Sequence, residues 1–318
     1  MHPFQLALIE KYFPELITHE LEENNDGLVN DVIIINHERV FRFPKTESGQ
    51  RALLNEIKII GLLKPRSLLQ LPDFDIAIPE MVSYKLIPGE TLLRNDILRL
   101  PETDQDHLVE QLGSFLQYMH RIPMRELSRA QIPASPAQHS RTEWTRLYAD
   151  VQKDLYPLMM AHARCWVREL FEPWINDETF WHYDPCLING DIGCYHILFD
   201  KNKRRINGII DFGTAGLGDP AGDYACLLYY YGESFLNRMS RYDPDIEPAL
   251  NRTRFWAGCL ELEWLLGGLK SNDPSWFAVH IGSARDVGVI KATGLNPATR
   301  PHGADGGSQC CRPPPGPH

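Results

Sequence analysis

Two aspartates, Asp191 and Asp211, stand twenty positions apart (191 to 211) on either side of a short apolar stretch. The rest of that part of the chain has helical periodicity. The stretch holds two runs, His196-Ile197-Leu198-Phe199 and Ile206-Asn207-Gly208-Ile209-Ile210, separated by a charged turn over residues 200–205. Short apolar runs bounded by polar turns read as paired strands. Around them the pattern changes. Residues 104–121 carry Leu108, Leu112, Phe115, Leu116 and Met119 at helical offsets and end before Pro123. Further helices are expected over residues 141–159, 164–171, 221–231 and 252–269. A β-rich insert over residues 187–211 inside a helical lobe, with a carboxylate at each end, leaves few folds open. Its hairpin would carry both carboxylates into one cleft.

The N-terminal part reads as α+β. A short helix over residues 4–13 precedes two β-branched strands, residues 28–35 and 39–43, joined by the polar turn 36–39. Residues 48–63 switch to helical spacing with Leu53, Ile57, Ile60 and Leu63 on one stripe, and a strand over residues 81–87 stops at Pro88-Gly89. The order strand–strand–helix–strand predicts a small antiparallel β lobe, followed by a larger, mainly helical lobe. The expected division is 1–88, 89–286, and a disordered tail over 287–318, where Pro and Gly replace any apolar period.

Composition narrows the partners. A net charge of −10 argues against nucleic acid, whose phosphates need basic patches, and allows attraction of a cationic small molecule. Seven cysteines include no C-x-x-C pair and are odd in number, which favours a reducing compartment over a disulfide framework. No apolar run suits a signal peptide or a membrane span, so a cytoplasmic monomer is expected.

Phosphoryl transfer needs a carboxylate to orient the attacking hydroxyl and accept its proton, and oxygen ligands to hold magnesium against the β- and γ-phosphates. The pattern Asn189-Gly190-Asp191-Ile192-Gly193-Cys194-Tyr195-His196, then Ile210-Asp211-Phe212-Gly213, supplies both. Asp191 is the candidate base, Asp211 the candidate metal ligand, and His196 a second ligand or a structural residue.

These segments, with Gly208-Ile209-Ile210 and Asp219-Pro220, resemble the aminoglycoside phosphotransferases. The spacing and the His at the fifth position are nearest the 2″-phosphotransferase branch. The resemblance spans about residues 1–285 and is densest over 191–223. It implies a bilobal protein-kinase-like fold, ATP or GTP as donor, Mg²⁺, and an aminoglycoside as cationic acceptor, hence antibiotic resistance. It departs from the family at Asn189, where a His is usual, and at His196, where the family has Asn. Gly27 would lie in the loop covering the phosphates. Arg42 would contact them with Glu56 as its partner, Lys45 competing for that contact. Exposure of both Arg42 and Glu56 to solvent is the plainer alternative. Tyr84 and Leu86 fall in the segment resembling the hinge that pairs with the base, or merely precede a strand stop. Asp219 would brace the metal loop. Glu233, Glu261 and Glu263 lie near aromatic residues and suit a polyamine sugar, and the resemblance favours Glu263 and Trp276.

Gly216-Leu217-Gly218-Asp219-Pro220-Ala221 fits a dinucleotide fingerprint, but Asp219 and Pro220 would repel a pyrophosphate and remove an N–H. Macrolides, choline or another amino alcohol would use the same chemistry, and a kinase-like module that binds without catalysing is the rival from another class.

Overall fold

The computed structural model describes residues 3–24 and 29–271. In chain order its helices are α1 (Pro3–Tyr12), α2 (Glu47–Leu63), α3 (Arg94–Arg99), α4 (Glu102–His120), α5 (Met124–Arg129), α6 (Arg141–Asp150), α7 (Ala161–Ile175), α8 (Ala221–Tyr231), α9 (Glu233–Met239) and α10 (Ile246–Ser271). Its strands are β1 (Leu21–Asn24), β2 (Asn30–Ile35), β3 (Arg39–Pro44), β4 (Phe74–Ile78), β5 (Met81–Lys85), β6 (Glu90–Thr91), β7 (Cys186–Ile188), β8 (Ile197–Asp200), β9 (Arg205–Ile209) and β10 (Gly216–Gly218). Two compact units divide the chain: residues 1–138 with 185–247, and residues 139–184 with 248 onward.

The first unit carries a five-stranded antiparallel sheet in the order β1-β2-β3-β5-β4. Strands β1 and β4 were not expected from the sequence. Both are edges, and Leu-Glu-Glu-Asn in β1 offers no apolar alternation to read. The turn between β2 and β3 places Asn36 and His37 at φ of 57° and 49°, a region that a short polar side chain tolerates. Ile9 of α1 packs with Ile33, Ile35, Phe41, Phe43 and Met81 of the sheet.

Helix α2 is capped by Thr46, whose hydroxyl accepts from the Gly49 amide at 3.1 Å. Its buried face runs through Leu53, Glu56, Ile59, Ile60 and Leu63, with Ile57 only half-buried. A carboxylate therefore sits where the helical period alone called for an apolar residue.

The expected hairpin forms. β8 pairs antiparallel with β9, and β6 adds on the other side of β8. β7 pairs with β10, so the glycine pair of the apparent dinucleotide fingerprint is a strand. Its glycines serve backbone approach: a Cβ on Gly216 would lie 2.5 Å from the Ser135 amide nitrogen and 2.7 Å from the Pro133 carbonyl oxygen.

The second unit is helical. Helix α6 opens with a capping box, Ser140 Oγ accepting from the Glu143 amide while Glu143 accepts from the Ser140 amide at 2.7 Å. The helix expected over residues 141–159 is regular only to Asp150, then widens over Val151–Leu155 and tightens over Tyr156–Leu158, where Pro157 sits. Phe255 of α10 sits in an aromatic core with edge contacts to Trp144, Phe171, Phe180 and Trp181. Helices α3, α5 and α9 hold 6, 6 and 7 residues, too few for a readable period. No described helix is long and apolar enough to cross a membrane.

Candidate active site

All of the catalytic-loop geometry lies in the first unit. After β7 the chain turns at Gly190, φ 79°, into Asp191. Three groups hold this turn. Asp223, buried on α8, accepts the Gly190 amide on Oδ1 at 2.8 Å and the Asn189 amide on Oδ2 at 3.0 Å. His120 Nε2 reaches the same Oδ2 at 2.9 Å from the end of α4. The Asn189 side chain then links the two halves of the site. Its amide donates to the Asp211 carbonyl at 3.1 Å, and its oxygen accepts from the Asp191 amide at 3.0 Å.

Asp191 and Asp211 stay reachable, with 54% and 44% of their side-chain surfaces exposed. Surrounding protein pushes the Asp191 carboxyl up to about 6. Nearby His196 opposes the shift, and Asp211 and Asp223 add to it. A proton affinity near neutrality suits a general base. Asp211 follows β9 with φ 63°, a left-handed conformation that costs a non-glycine residue about 1–3 kcal/mol and marks a constrained position.

His196 lies between the two carboxylates. Its Nδ1 is 2.7 Å from the Asp191 carbonyl oxygen, which can only accept, so Nδ1 carries the hydrogen. The other ring nitrogen, Nε2, lies 3.7 Å from Asp211 Oδ2. A ring nitrogen fixed by a backbone carbonyl, with the other nitrogen free, is the arrangement of a metal-ligating histidine. Asp211 and His196 thus fit a divalent cation completed by phosphate oxygens and water, although imidazole is a softer donor than magnesium prefers.

Arg42 and Glu56 are both buried, which removes the solvent-exposed alternative. Arg42 Nη1 donates to Glu56 Oε1 at 2.8 Å, and its Nη2 lies 3.8 Å from Asp211 Oδ1. The Phe212 amide also reaches Glu56 Oε1, at 3.3 Å. Burial works against the charge on Arg42, but Glu56, Tyr84 and Asp211 together more than offset it, and the guanidinium is held cationic. Tyr84 is buried beside Arg42; burial drives its hydroxyl up to about 12. The Leu86 amide donates to the Glu38 carbonyl at 2.8 Å. Lys45 lies 3.3 Å from Asp31. Gly27 lies outside the described residues.

In the second unit, Glu263 Oε1 is 2.9 Å from His139 Nε2, and His139 stacks on Trp144 at 4.5 Å. Glu261 is fully buried, unlike a surface ligand for substrate. Glu233 opens α9 in the first unit and is half-buried. Trp276 lies outside the described residues.

The resemblance gives Asp219 the role of bracing the metal loop. In the structure its Oδ1 accepts the Ala221 amide at 3.0 Å and its amide donates to the Gln138 side chain at 2.7 Å, while Asp223 holds the separate loop that carries Asp191. A signal for Asp223 was available, since a carboxylate inside Ala221-Gly222-Asp223-Tyr224-Ala225 must be paired if that run is buried.

Comparison with known proteins agrees with this architecture. A family model described as "Phosphotransferase enzyme family" matches residues 20–262. Viomycin phosphotransferase of Streptomyces vinaceus is 26% identical over 226 residues, 68% of this chain and 75% of its own length. The solved GDP and kanamycin complex of APH(2″)-IIIa aligns with a TM-score of 0.78 and 26% identity, over 89% of this chain and 98% of that one. Macrolide 2′-phosphotransferase type I aligns at a TM-score of 0.67 and 20% identity, over 91% and 97%, a likeness of fold. The α+β kinase-like fold expected from the sequence is therefore borne out.

Proposed function

Since the chain belongs to the phosphotransferase enzyme family, we propose that it transfers the γ-phosphoryl group of ATP or GTP to a hydroxyl of an aminoglycoside. The observation that carries this reading is the pair of half-exposed carboxylates, Asp191 and Asp211, at the two ends of the β8–β9 hairpin with His196 between them. Asp191 orients the acceptor hydroxyl and takes its proton as the oxygen attacks phosphorus. Asp211 and His196 would hold Mg²⁺, which when bound draws negative charge from the phosphates. Arg42, fixed by Glu56, would direct its second guanidinium nitrogen to a phosphate oxygen, a contact for which a planar fork is suited. By the resemblance, acceptor contacts are carried over to Glu233, Glu263 and Trp276, each taken singly, and nucleotide contacts to residues 1–88, with Gly27, Tyr84 and Leu86. Five free cysteines among the described residues suit the reducing, cytoplasmic setting we propose for this monomer.

Magnesium-dependent phosphoryl transfer to a panel of aminoglycosides, with either nucleotide, tests the reading. Asp191→Asn should keep nucleotide affinity and lower kcat by about 10²–10⁴-fold, the contribution of a positioned base. A folded Asp191→Asn variant with near-normal kcat would remove Asp191 from the mechanism. The absence of transfer by the unaltered protein to any acceptor would remove the function.

A further inference from the structure

The loop that carries Asp191 also carries the most exposed aromatic ring beside the reacting groups. Tyr195 has 63% of its surface in solvent, and among the Phe, Tyr and Trp side chains described only Phe4 is also exposed. Its backbone is fixed rather than loose. The Gly193 amide donates to the Asp191 carbonyl at 2.7 Å, and the His196 amide donates to the Gly193 carbonyl at 3.0 Å. Between these bonds the turn Cys194–His196 keeps His196 inward and turns Tyr195 outward.

Two further rings adjoin it. Tyr195 meets Tyr230 edge to face, with centroids 6.1 Å apart at 86°, and Tyr230 meets Tyr229 likewise at 5.2 Å and 86°. Both belong to the last turn of α8 and are half-buried. Tyr230 rests directly on the catalytic loop, since a Cβ on Gly193 would come within 2.8 Å of its ring. The three rings are therefore tied to the segment whose carboxylate must meet the acceptor hydroxyl. Neither Gly193-Cys194-Tyr195 nor Tyr229-Tyr230-Tyr231 contains a charged residue.

What such rings can bind follows from their arrangement. A quaternary ammonium is held best where several ring faces converge on it. Here successive rings stand at right angles as a stair, which presents one flat face at a time. A flat face complements the C–H face of a saturated six-membered ring, through apolar contact over a rigid surface.

We propose that Tyr195, backed by Tyr230 and Tyr229, is the platform on which a ring of the acceptor lies. The inference rests on the phosphotransfer reading and names the residue against which its acceptor ring lies.

The test compares the unaltered protein with Tyr195→Ala and Tyr195→Phe, using kanamycin, gentamicin and streptomycin as ring acceptors and choline as the acyclic one. With the best ring acceptor, Tyr195→Ala should raise KM about five- to tenfold, the size of one aromatic stacking contact. The nucleotide KM should stay within twofold. Tyr195→Phe, which keeps the face and loses the hydroxyl, should restore the acceptor KM. An unchanged acceptor KM in Tyr195→Ala, or a higher kcat/KM for choline than for every ring acceptor, overturns the platform while phosphotransfer stands. If the unaltered protein transfers phosphate to no acceptor at all, the phosphotransfer reading falls first and the platform with it.

Discussion

Replacing Asp223 by asparagine preserves the side chain's size and removes its capacity to accept on both oxygens. In the structure Oδ1 takes the Gly190 amide at 2.8 Å, and Oδ2 takes the Asn189 amide at 3.0 Å and faces His120 Nε2 at 2.9 Å. Whichever way the new amide turns, its NH₂ confronts a loop N–H. One charge-assisted hydrogen bond is lost, about 1.5–3 kcal/mol, and one buried donor is stranded, about 1–3 kcal/mol. Partial relaxation and the surviving bonds bring the expected net loss to about 2–4 kcal/mol. At about 2–4 °C per kcal/mol for a domain of this size, Tm should fall by about 4–16 °C. Activity should fall further than stability explains, because the clamped amides directly precede Asp191. A displacement of about 1 Å at a reacting group can cost on the order of 10²-fold in rate. Melting followed by circular dichroism, with kcat measured well below the transition, separates the two effects. A Tm within 1 °C of the parent together with kcat within twofold would refute the clamp.

Glu56→Ala should cost about 3–5 kcal/mol in urea unfolding, since it leaves the Arg42 guanidinium buried without its partner; a loss under 1 kcal/mol would mean that water or Asp211 replaces Glu56 fully. Gly216→Ala should destabilise by about 1–3 kcal/mol through the 2.5 Å approach to the Ser135 amide. Gly61→Ala, with nothing within 4 Å in the last turn of α2, should instead stabilise by up to about 1 kcal/mol, and equal effects at the two glycines would undo the packing argument. With an aminoglycoside acceptor, KM should rise with ionic strength as the Debye length falls from about 10 Å at 0.1 M to about 3 Å at 1 M, and Glu263→Gln should flatten that dependence. A salt-independent KM in the parent protein would take Glu263 out of acceptor binding.

What the sequence disclosed and what it concealed divide along a physical line. The β8–β9 hairpin was legible because its two apolar runs and charged turn are all local, and Asp191, His196 and Asp211 came with it by position alone. Helix α2 was legible as a helix, yet the role of Glu56 was visible only through a resemblance. The period counts apolar residues, and a carboxylate in the stripe registers as a defect until Arg42, fourteen residues away in sequence (42 to 56), is seen to pair with it. Strand β1 stayed hidden for the opposite reason: its polar residues pair with β2 through backbone groups that no side-chain pattern reports. The clamp on the catalytic loop was the least legible part of the site, since His120 and Asp223 are 103 residues apart in sequence. His120 is one of many polar residues in α4 and Asp223 the one charged residue of α8, and either alone fits a helix end or a surface turn. Burial decides the matter, because a carboxylate with no access to water must find donors and the free amides of a sharp turn are such donors. Asn189 completes the same logic. Its side chain donates to the Asp211 carbonyl and accepts from the Asp191 amide, two bonds of opposite sense from one planar group. An uncharged imidazole could also supply one donor and one acceptor, but only from opposite sides of its ring. The departure at this position therefore changes the geometry of the link between the two carboxylate loops and leaves the link itself in place.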